Sequence, residues 1–506
     1  KCVSTQDRLM LLVCPALREP LSGFRGPHGR KRPGRQTRKS AVVVDHLMEM
    51  GCLLADIRDL WIELQNDYVL IQLPRELRAK LAQILALQVK RHSESTSEAV
   101  KNRVKGWWAN VKYGWHVMNP GTLIDINDLN GNEPVYLLGQ VYHNRDNPSS
   151  FRNFFSDFST RIWFTYRQDF APIYSTGHQS DSGWGCMLRT GQMLLAQAFM
   201  LHLLGRQWRW NPRRDRAELG LAEEHGVHRK IISWFGDGAD VSRAPFGIHS
   251  LIKAAGQIAN KKAGDWFGPS TAANLLKRCM EDAGYTALSK EIFEQMAIYV
   301  AQDCTIYTED VLQLCTSNPN IEWRSVILLV PVRLGGETIN MNYVHPIKEI
   351  LAHPNSNCIG IIGGKPKHSL YFIGFQGNKL VYLDPHYLQN NVDTRNNNFS
   401  VSSYHCTTAR KMSFSKLDPS ATIGFYCKTR RDFEEFAATI QEIASACSSQ
   451  TRGGEYPVFM VSEGSAAVAN HSHLLDSNEE RVLKVHRHII TAHGTVRHES
   501  EEYVVL

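Results

Sequence analysis

The chain has 506 residues, of which 43% are hydrophobic and 21% charged, and its formal net charge at pH 7 is +7. This composition is ordinary for a soluble globular protein, and no stretch approaches the roughly 20 apolar residues that would cross a bilayer. Residues 1–40 hold ten Lys and Arg against two acidic residues, so the rest of the chain carries a net charge of −1. Because that body has no basic surplus, we expect no nucleic-acid partner.

Four regions follow from composition along the chain. The basic residues 1–40, rich in Gly, Pro and Arg, predict a disordered tail. Residues 41–95 have apolar residues at mixed helical spacing and predict a helical extension of unassigned role. Residues 96–465 carry the clearest patterns and predict the folded domain. The polar, His-rich residues 466–506 predict a flexible tail.

Within the folded domain, helical patterns come before strand patterns. Apolar spacing predicts helices over 99–117, 161–170, 186–204 and 269–284. Short runs rich in Val, Ile and Tyr predict strands over 325–332, 358–362, 370–375, 380–383 and 456–461. The tight connection at 376–379 predicts a hairpin over 370–384. Helices first and strands later favour an α+β fold.

The eleven cysteines are scattered along the chain, and none forms a C-x-x-C pair. Their odd number and spacing suggest neither a disulfide framework nor a zinc site, and no secretory signal is evident. We therefore expect reduced thiols and a cytoplasmic location.

Cys186 follows a glycine-rich turn, residues 180–185 (SDSGWG), and opens an apolar helix. At such a position the unpaired N–H groups and the helix dipole favour a thiolate, and a backbone donor remains for an oxyanion. The other interpretation is a buried structural cysteine, which is the commonest fate of a free cysteine.

A thiolate nucleophile needs a base, and Asp384 and His386 stand at the end of a predicted strand. Residues i and i+2 of an extended segment point to the same side, so the carboxylate can orient the imidazole. A surface turn with these residues would need no function. Cysteine first and histidine later is the order found in papain-like enzymes.

Five segments together resemble the autophagins, the cysteine peptidases that process the ubiquitin-like modifiers of autophagy. They occur in the family's order and are 161–167 (RIWFTYR), 180–189 (SDSGWGCMLR), 266–269 (WFGP), 363–374 (GGKPKHSLYFIG) and 382–386 (YLDPH). The longer members of the family, its C and D branch, are resembled most in three features: the residues at 367–369, the residues at 384–387 and the long N-terminus. The resemblance implies a papain-like α+β fold, with the nucleophile on the helical part and the Asp and His on an antiparallel sheet.

The resemblance also implies a role for each matched residue. Cys186 is then the nucleophile, His386 the general base and later acid, and Asp384 the residue that orients the imidazole. Tyr166 is expected to offer its hydroxyl to the oxyanion, and Trp266 to cover a narrow cleft that takes glycine. Without the resemblance, both aromatic residues would be interpreted as core side chains.

The loop 363–369 is expected to form a mobile lid beside the active site. Its substrate-contacting residues would be Gly363, Gly364, Lys365 and Pro366. An ordinary strand connection fits the same glycines. Some relatives carry a second cysteine where this sequence has Thr190, so a redox switch at that position is unsupported.

The activity implied is cleavage after the C-terminal glycine of GABARAP-type modifiers, both free precursors and forms conjugated to phosphatidylethanolamine. The lipidated form would bring the enzyme transiently close to a membrane. We expect no metal and no organic cofactor. Two other interpretations fit the same residues: an adaptor that binds the modifier without cutting it, including a closed, autoinhibited state, and an acyl transferase with the same triad.

The C-terminus carries a short motif in which Tyr503 precedes Leu506 by three positions and follows acidic residues. This pattern resembles the segment that such modifiers bind as an added strand. The segments 61–64 (WIEL) and 68–71 (YVLI) fit the same pattern, so the terminal match is a hypothesis that rests on its accessible surroundings.

Overall fold

The computed structural model describes residues 124, 133–143, 149–212, 223–365, 368–396, 398–448 and 457–468, and the backbone of 482–490 and 496–505. The predicted tail 1–40, the predicted extension 41–95 and the predicted helix 99–117 lie outside these residues. Within the described part of the chain, no helix combines the length and apolar character that crossing a membrane would require.

The described residues form nine α-helices and fifteen strands. The helices are α1 Ser150–Thr160, α2 Cys186–Leu203, α3 Glu223–Ser233, α4 Ile248–Ile258, α5 Pro269–Thr286, α6 Lys290–Phe293, α7 Thr308–Thr316, α8 Val344–Ala352 and α9 Arg430–Ser448. The strands are β1 Val135–Leu137, β2 Gln140–Tyr142, β3 Tyr166–Gln168, β4 Met296–Val300, β5 Thr305–Tyr307, β6 Ser325–Arg333, β7 Cys358–Lys365, β8 His368–Gln376, β9 Lys379–Leu383, β10 Leu388–Asn390, β11 Arg410–Ser413, β12 Ser420–Cys427, β13 Met460–Ser462, β14 Val482–Ile490 and β15 Val496–Val505.

A central sheet with the order β11-β9-β8-β7-β12-β6-β4 organises the domain, and β1 and β2 extend it from β8. All of its pairings are antiparallel except that between β4 and β6. Alternate residues of β6 enter different cores: Ile327 and Leu329 lie in the cluster that contains α2, and Val326 and Leu328 in the cluster that contains α9. Both faces of the sheet are therefore covered, as a strand with every residue from 325 to 330 buried requires.

Helix α2, which begins with Cys186, is the central element of one layer. Every residue from Cys186 to Met200 is buried, because the helix packs on β7 and β8 on one side and on α5 on the other. Its last turn ends at Gly205, which adopts a φ of +78° and donates its N–H to the Met200 carbonyl over 3.0 Å. Glycine reaches this left-handed conformation without a steric cost, so the predicted stop is confirmed.

The α+β prediction is confirmed, as are the helices at 186–204 and 269–284 and the first four predicted strands. The predicted hairpin is the pair β8 and β9, whose turn contains Gly377 at a φ of +52°. The fifth predicted strand, 456–461, is displaced, because only Met460–Ser462 pairs, in parallel with β5.

The predicted helix over 161–170 is wrong. The helix ends at Thr160, and the following segment is extended and includes β3. Its backbone N–H groups find distant partners instead of helical ones: that of Trp163 donates to the Tyr404 carbonyl over 2.8 Å, and that of Tyr166 to the Pro385 carbonyl over 2.9 Å. Long-range hydrogen bonds of this kind leave no trace in local spacing.

The predicted flexible tail 466–506 includes two strands. Strands β14 and β15 form an antiparallel hairpin in which Tyr503 pairs with Lys484. Leu506 lies outside the described residues.

Candidate active site

The turn before α2 presents Cys186 as the first residue of the helix. The carbonyl of Asp181 accepts the N–H groups of Trp184 and Gly185 over 3.2 and 2.9 Å, and Gly183 adopts a φ of +86°. A Cβ at Gly185 would lie 2.3 Å from the Asp181 carboxylate, so only glycine fits. The turn therefore places the thiol where the helix N-terminus stabilises negative charge.

A buried ion network holds this turn. The guanidinium of Arg189 donates to Asp181 over 2.8 and 3.1 Å and to Asp237 over 2.9 Å, and all three side chains are at most 2% exposed. Asp181 also accepts the backbone N–H of Arg167 over 2.7 Å, which ties the turn to β3. Burial opposes the charge of Arg189, but the two carboxylates outweigh it and raise the pKa of the guanidinium.

The predicted base lies directly after β9. Nδ1 of His386 and an oxygen of Asp384 are 2.6 Å apart, and the backbone N–H of His386 donates to the same oxygen over 3.0 Å. The other carboxylate oxygen faces Arg410 at 3.4 Å, and the indole N–H of Trp163 donates to the Asp384 carbonyl over 2.7 Å. Burial favours the protonated acid, but His386, His368 and Arg410 outweigh it and lower the pKa of Asp384.

The structure brings the helix and the sheet residues together. The side chains of Cys186 and His386 lie close enough for each to shift the pKa of the other, and both are about 1% exposed. Burial raises the pKa of the Cys186 thiol, but the hydrogen bond and charge of His386, the backbone of Ser369 and the hydroxyl of Tyr166 together lower it. Burial lowers the pKa of His386, and Asp384 and Cys186 raise it to about 9. A lowered thiol pKa beside a raised imidazole pKa favours the pair of thiolate and imidazolium over the neutral pair.

Tyr166 reaches this site from the extended segment, not from a helix. It is the first residue of β3, which pairs in parallel with β10 so that Tyr166 lies opposite Leu388. Its ring meets the imidazole of His386 edge-on, with centroids 5.4 Å apart, and its hydroxyl contacts the thiol of Cys186. The hydroxyl of Tyr166 therefore lies beside the thiol of Cys186, as the predicted oxyanion role requires.

The sequence marks His368 only as part of a segment that resembles the C and D branch, yet its ring stacks on that of His386 with centroids 3.6 Å apart. The next residue, Ser369, bonds through its Oγ to Thr190 Oγ1 over 2.8 Å, so Thr190 joins β8 to α2. A pattern search restricted to nucleophile, base and acid misses both His368 and Ser369. The only sequence signal is their position within the matched segment 363–374.

Three residues of the described part, His368, Asp384 and His386, offer metal-ligating atoms within 4.8 Å of one another. Nδ1 of His386 already bonds Asp384, and the same ring interacts with the thiol of Cys186. An ion at this position would have to break both contacts, so the donor set fits proton transfer better than metal binding.

The glycine-rich segment is the end of a hairpin and not the predicted loop. Gly363, Gly364 and Lys365 belong to β7, and Lys365 pairs with His368 of β8. Gly364 adopts a φ of +139°, where a Cβ would lie 2.1 Å from the His368 carbonyl. Glycine at this position is therefore explained by the fold, because the two strands approach each other closely. Pro366 lies outside the described residues.

Trp266 precedes α5 and is 40% exposed. Its segment lies near the turn before α2: a Cβ at Gly264 would lie 3.5 Å from the His178 ring, and that ring meets Trp184 edge-on. The partly exposed indole therefore follows a segment that neighbours the turn.

Comparison with known proteins gives the family of this chain. The peptidase C54 catalytic domain matches residues 151–439. Cysteine protease ATG4D of Xenopus laevis is 40% identical over 409 residues, covering 73% of this protein and 82% of the relative. Cysteine protease atg4da of Danio rerio is 39% identical over 422 residues, which cover 72% of this protein and 81% of the relative. Cysteine protease ATG4C of Homo sapiens is 36% identical over 482 residues, which cover 81% of this protein and 98% of the relative.

The matched range contains the nucleophile turn, β3, the glycine hairpin and the segment after β9. The predicted cysteine-peptidase activity and the papain-like fold are therefore confirmed. This chain belongs to the peptidase C54 family of cysteine peptidases, the autophagins, and to its C and D branch.

Proposed function

We propose that this peptidase cleaves after the C-terminal glycine of GABARAP-type ubiquitin-like modifiers of autophagy, in the cytoplasm. The observation that carries the proposal is the contact of Cys186 with His386, in a site where the pKa of the thiol is lowered and that of the imidazole raised. The family supplies the class of substrate, and no organic cofactor or metal is needed for this chemistry.

Cys186 attacks the carbonyl carbon of the glycine as a thiolate, and the carbonyl oxygen becomes an oxyanion. The hydroxyl of Tyr166 and the backbone N–H of Cys186 stabilise that oxyanion. His386 then protonates the departing amine while Asp384 holds its ring through Nδ1. Water, activated by the now neutral His386, releases the thioester and restores the thiolate.

The leaving amine decides the outcome of the reaction. When it is the first residue of a C-terminal extension, the product is the mature modifier. When it belongs to phosphatidylethanolamine, the modifier leaves a membrane. Trp266 would cover the cleft over the glycine, where a side chain would clash, and Gly363, Gly364, Lys365 and Pro366 would form the neighbouring wall.

The C-terminal motif would give the modifier a second contact. Strand β15 already pairs with β14 on one edge, so an added strand would have to use its opposite edge at Tyr503 and Leu506. This contact would raise the effective concentration of the substrate at Cys186.

The experiment compares the full-length protein with Cys186→Ala on modifiers that carry either a C-terminal extension or phosphatidylethanolamine in vesicles. Cys447→Ala is the matched control, because this half-buried thiol has a pKa raised by burial and lies in α9. We expect cleavage by the parent and the control and none by Cys186→Ala. Modifier binding without cleavage by the parent would replace the proposal with the adaptor.

A further inference from the structure

A cavity of about 550 Å³ lies on the described part of the chain, away from the catalytic residues. It is bounded by α3, by the loop between α3 and α4, by residues 288–293 and by the segment after β10. A volume of this size suits a small organic ligand.

The lining of this cavity is cationic. Arg229, Lys230, Arg243 and Arg395 contribute from three separate parts of the sequence, and no acidic side chain is among the lining residues that the structure describes. The body of the protein carries a net charge of −1 outside residues 1–40, so an excess of positive charge here is local. Asp240 and Asp393, which are not among the lining residues, pair with Arg243 and Arg395, so the excess rests mainly on Arg229 and Lys230. Such a cavity with low-dielectric walls focuses its field on an anion.

Three of the four cations, the arginines, have contacts outside the cavity or on its floor. Arg395 forms two contacts of 2.9 and 2.7 Å with Asp393, and Arg243 contacts Asp240 at 3.4 Å. The Nε of Arg229 donates to the Phe399 carbonyl over 3.1 Å, and its side chain is only 8% exposed. Guanidinium groups fixed in this way bind an anion at a smaller cost in side-chain entropy.

The remaining lining residues fit an organic phosphate better than a bare anion. Hydroxyl and amide groups stand beside the cations, and the floor is aromatic; these residues are Ser233, Ser242, Thr394, Asn398, Trp234 and Phe293. Arginine and hydroxyl donors match the oxygens of a phosphate monoester, and aromatic side chains accept an apolar or ring-shaped group.

We propose that this cavity binds a phosphorylated small molecule, with the phosphate on the four cations and the organic group on the aromatic floor. The same chemistry is available from a soluble phosphate ester or from the headgroup of a phospholipid. The site is independent of the peptidase proposal, since none of its lining residues belongs to the catalytic set.

The test measures binding to the full-length protein by calorimetry, with pyrophosphate and adenosine monophosphate as soluble probes. A flotation arm uses phosphatidylcholine vesicles with and without a phosphatidylinositol phosphate. The double variant Lys230→Gln/Arg243→Gln removes two exposed cations of the cavity. Arg430→Gln/Arg431→Gln is the charge-matched control, because both residues are exposed on α9. Thermal unfolding verifies that each variant is folded, and Arg395→Gln replaces the first variant if it is not.

We expect saturable binding that weakens by about tenfold or more in the cavity variant and is unchanged in the control, as charge-assisted bonds to phosphate require. Binding of the soluble probes identifies a phosphate ester as the source. Binding of the phosphorylated vesicles alone identifies a lipid headgroup. No binding in any arm, or equal weakening in both double variants, would overturn the proposal.

Discussion

The imidazole rings of His368 and His386 lie face to face, with centroids 3.6 Å apart and planes within 1° of parallel. One face of the proposed base is thus covered by a neighbour from β8, and the edge of Tyr166 meets the same ring at 88°. Rotation of the His386 ring about its Nδ1 contact with Asp384 is therefore blocked.

From this packing we predict that His368 positions the base. His368→Ala should lower kcat/KM by roughly 10²-fold, because a loosened imidazole loses its alignment with Cys186. His368→Phe keeps a flat ring on the stack and should retain most of the activity. The measurement is steady-state cleavage of a modifier precursor by both variants. Equal losses would show that the stack does not position the ring.

The pH dependence should follow the coupled pair Cys186 and His386. The active form is the thiolate with the imidazolium, so kcat/KM should fall in acid as Cys186 takes up a proton, below the ordinary thiol range because its pKa is lowered. The value of kcat/KM should also fall above about pH 9, because His386 then loses its proton. A profile of kcat/KM, together with the alkylation rate of Cys186, measures both limits. An alkylation rate that rises only near the ordinary thiol pKa would contradict the ion pair.

Tyr166→Phe removes one hydroxyl and leaves the ring. We expect kcat to fall by about 10²-fold with KM little changed, because an oxyanion donor acts in the transition state. The alkylation profile of Cys186 should also move to higher pH, since this hydroxyl lowers the pKa of the thiol. Tyr174→Phe, at a fully exposed ring, is the control. A change in KM alone would assign Tyr166 to substrate binding instead.

Arg189→Met should destabilise the fold by about 3–5 kcal/mol, because it leaves the buried carboxylates of Asp181 and Asp237 without their cation. The free energy of unfolding in urea measures the change. Arg278→Met removes an exposed partner of Asp282 and should change that free energy by less than about 1 kcal/mol. A similar effect of both variants would mean that the buried network does not hold the turn.

A cluster of buried histidines should make the fold sensitive to acid. His405 stacks on Trp210 with centroids 3.8 Å apart and lies 5.1 Å from His228. Burial lowers the pKa of both imidazoles, that of His405 to about 3. The unfolded chain binds protons at the ordinary value of 6.5, so the stabilisation is complete above that pH and is lost between 6.5 and about 3.

The variant His405→Phe tests this dependence, because it keeps a ring on Trp210 and removes the titrating group. Urea unfolding from neutral pH down to about 4 should show a shallower loss of stability in the variant than in the parent. Identical slopes would show that His405 does not contribute. His345→Phe, at a half-exposed imidazole on α8, serves as the control.

The parts of the site that the sequence could predict are those with local signals. Cys186 opens an apolar helix after a glycine turn, and Asp384 and His386 are separated by one residue on an extended segment. The segment at 161–170 could not be predicted in the same way, because its N–H groups bond Tyr404 and Pro385, which lie far along the sequence.

The roles of His368 and Arg410 were equally hidden from the sequence. Each reaches the triad only through strand pairing: His368 by the register of β7 and β8, and Arg410 because it lies opposite Tyr382 in the pairing of β11 with β9. Register of this kind depends on the whole sheet and not on neighbouring residues.

Only the folded tertiary structure brings Cys186 next to Ser369 and His386, two of the groups that lower the pKa of its thiol. The helix that carries the thiol is complete at Leu203, whereas Ser369 and His386 belong to β8 and to the segment after β9. A ribosome that has delivered only the first half of the protein has therefore made Cys186 without Ser369 and His386, two of the groups that lower the pKa of its thiol. The environment of the proposed nucleophile is thus complete only when the sheet is complete.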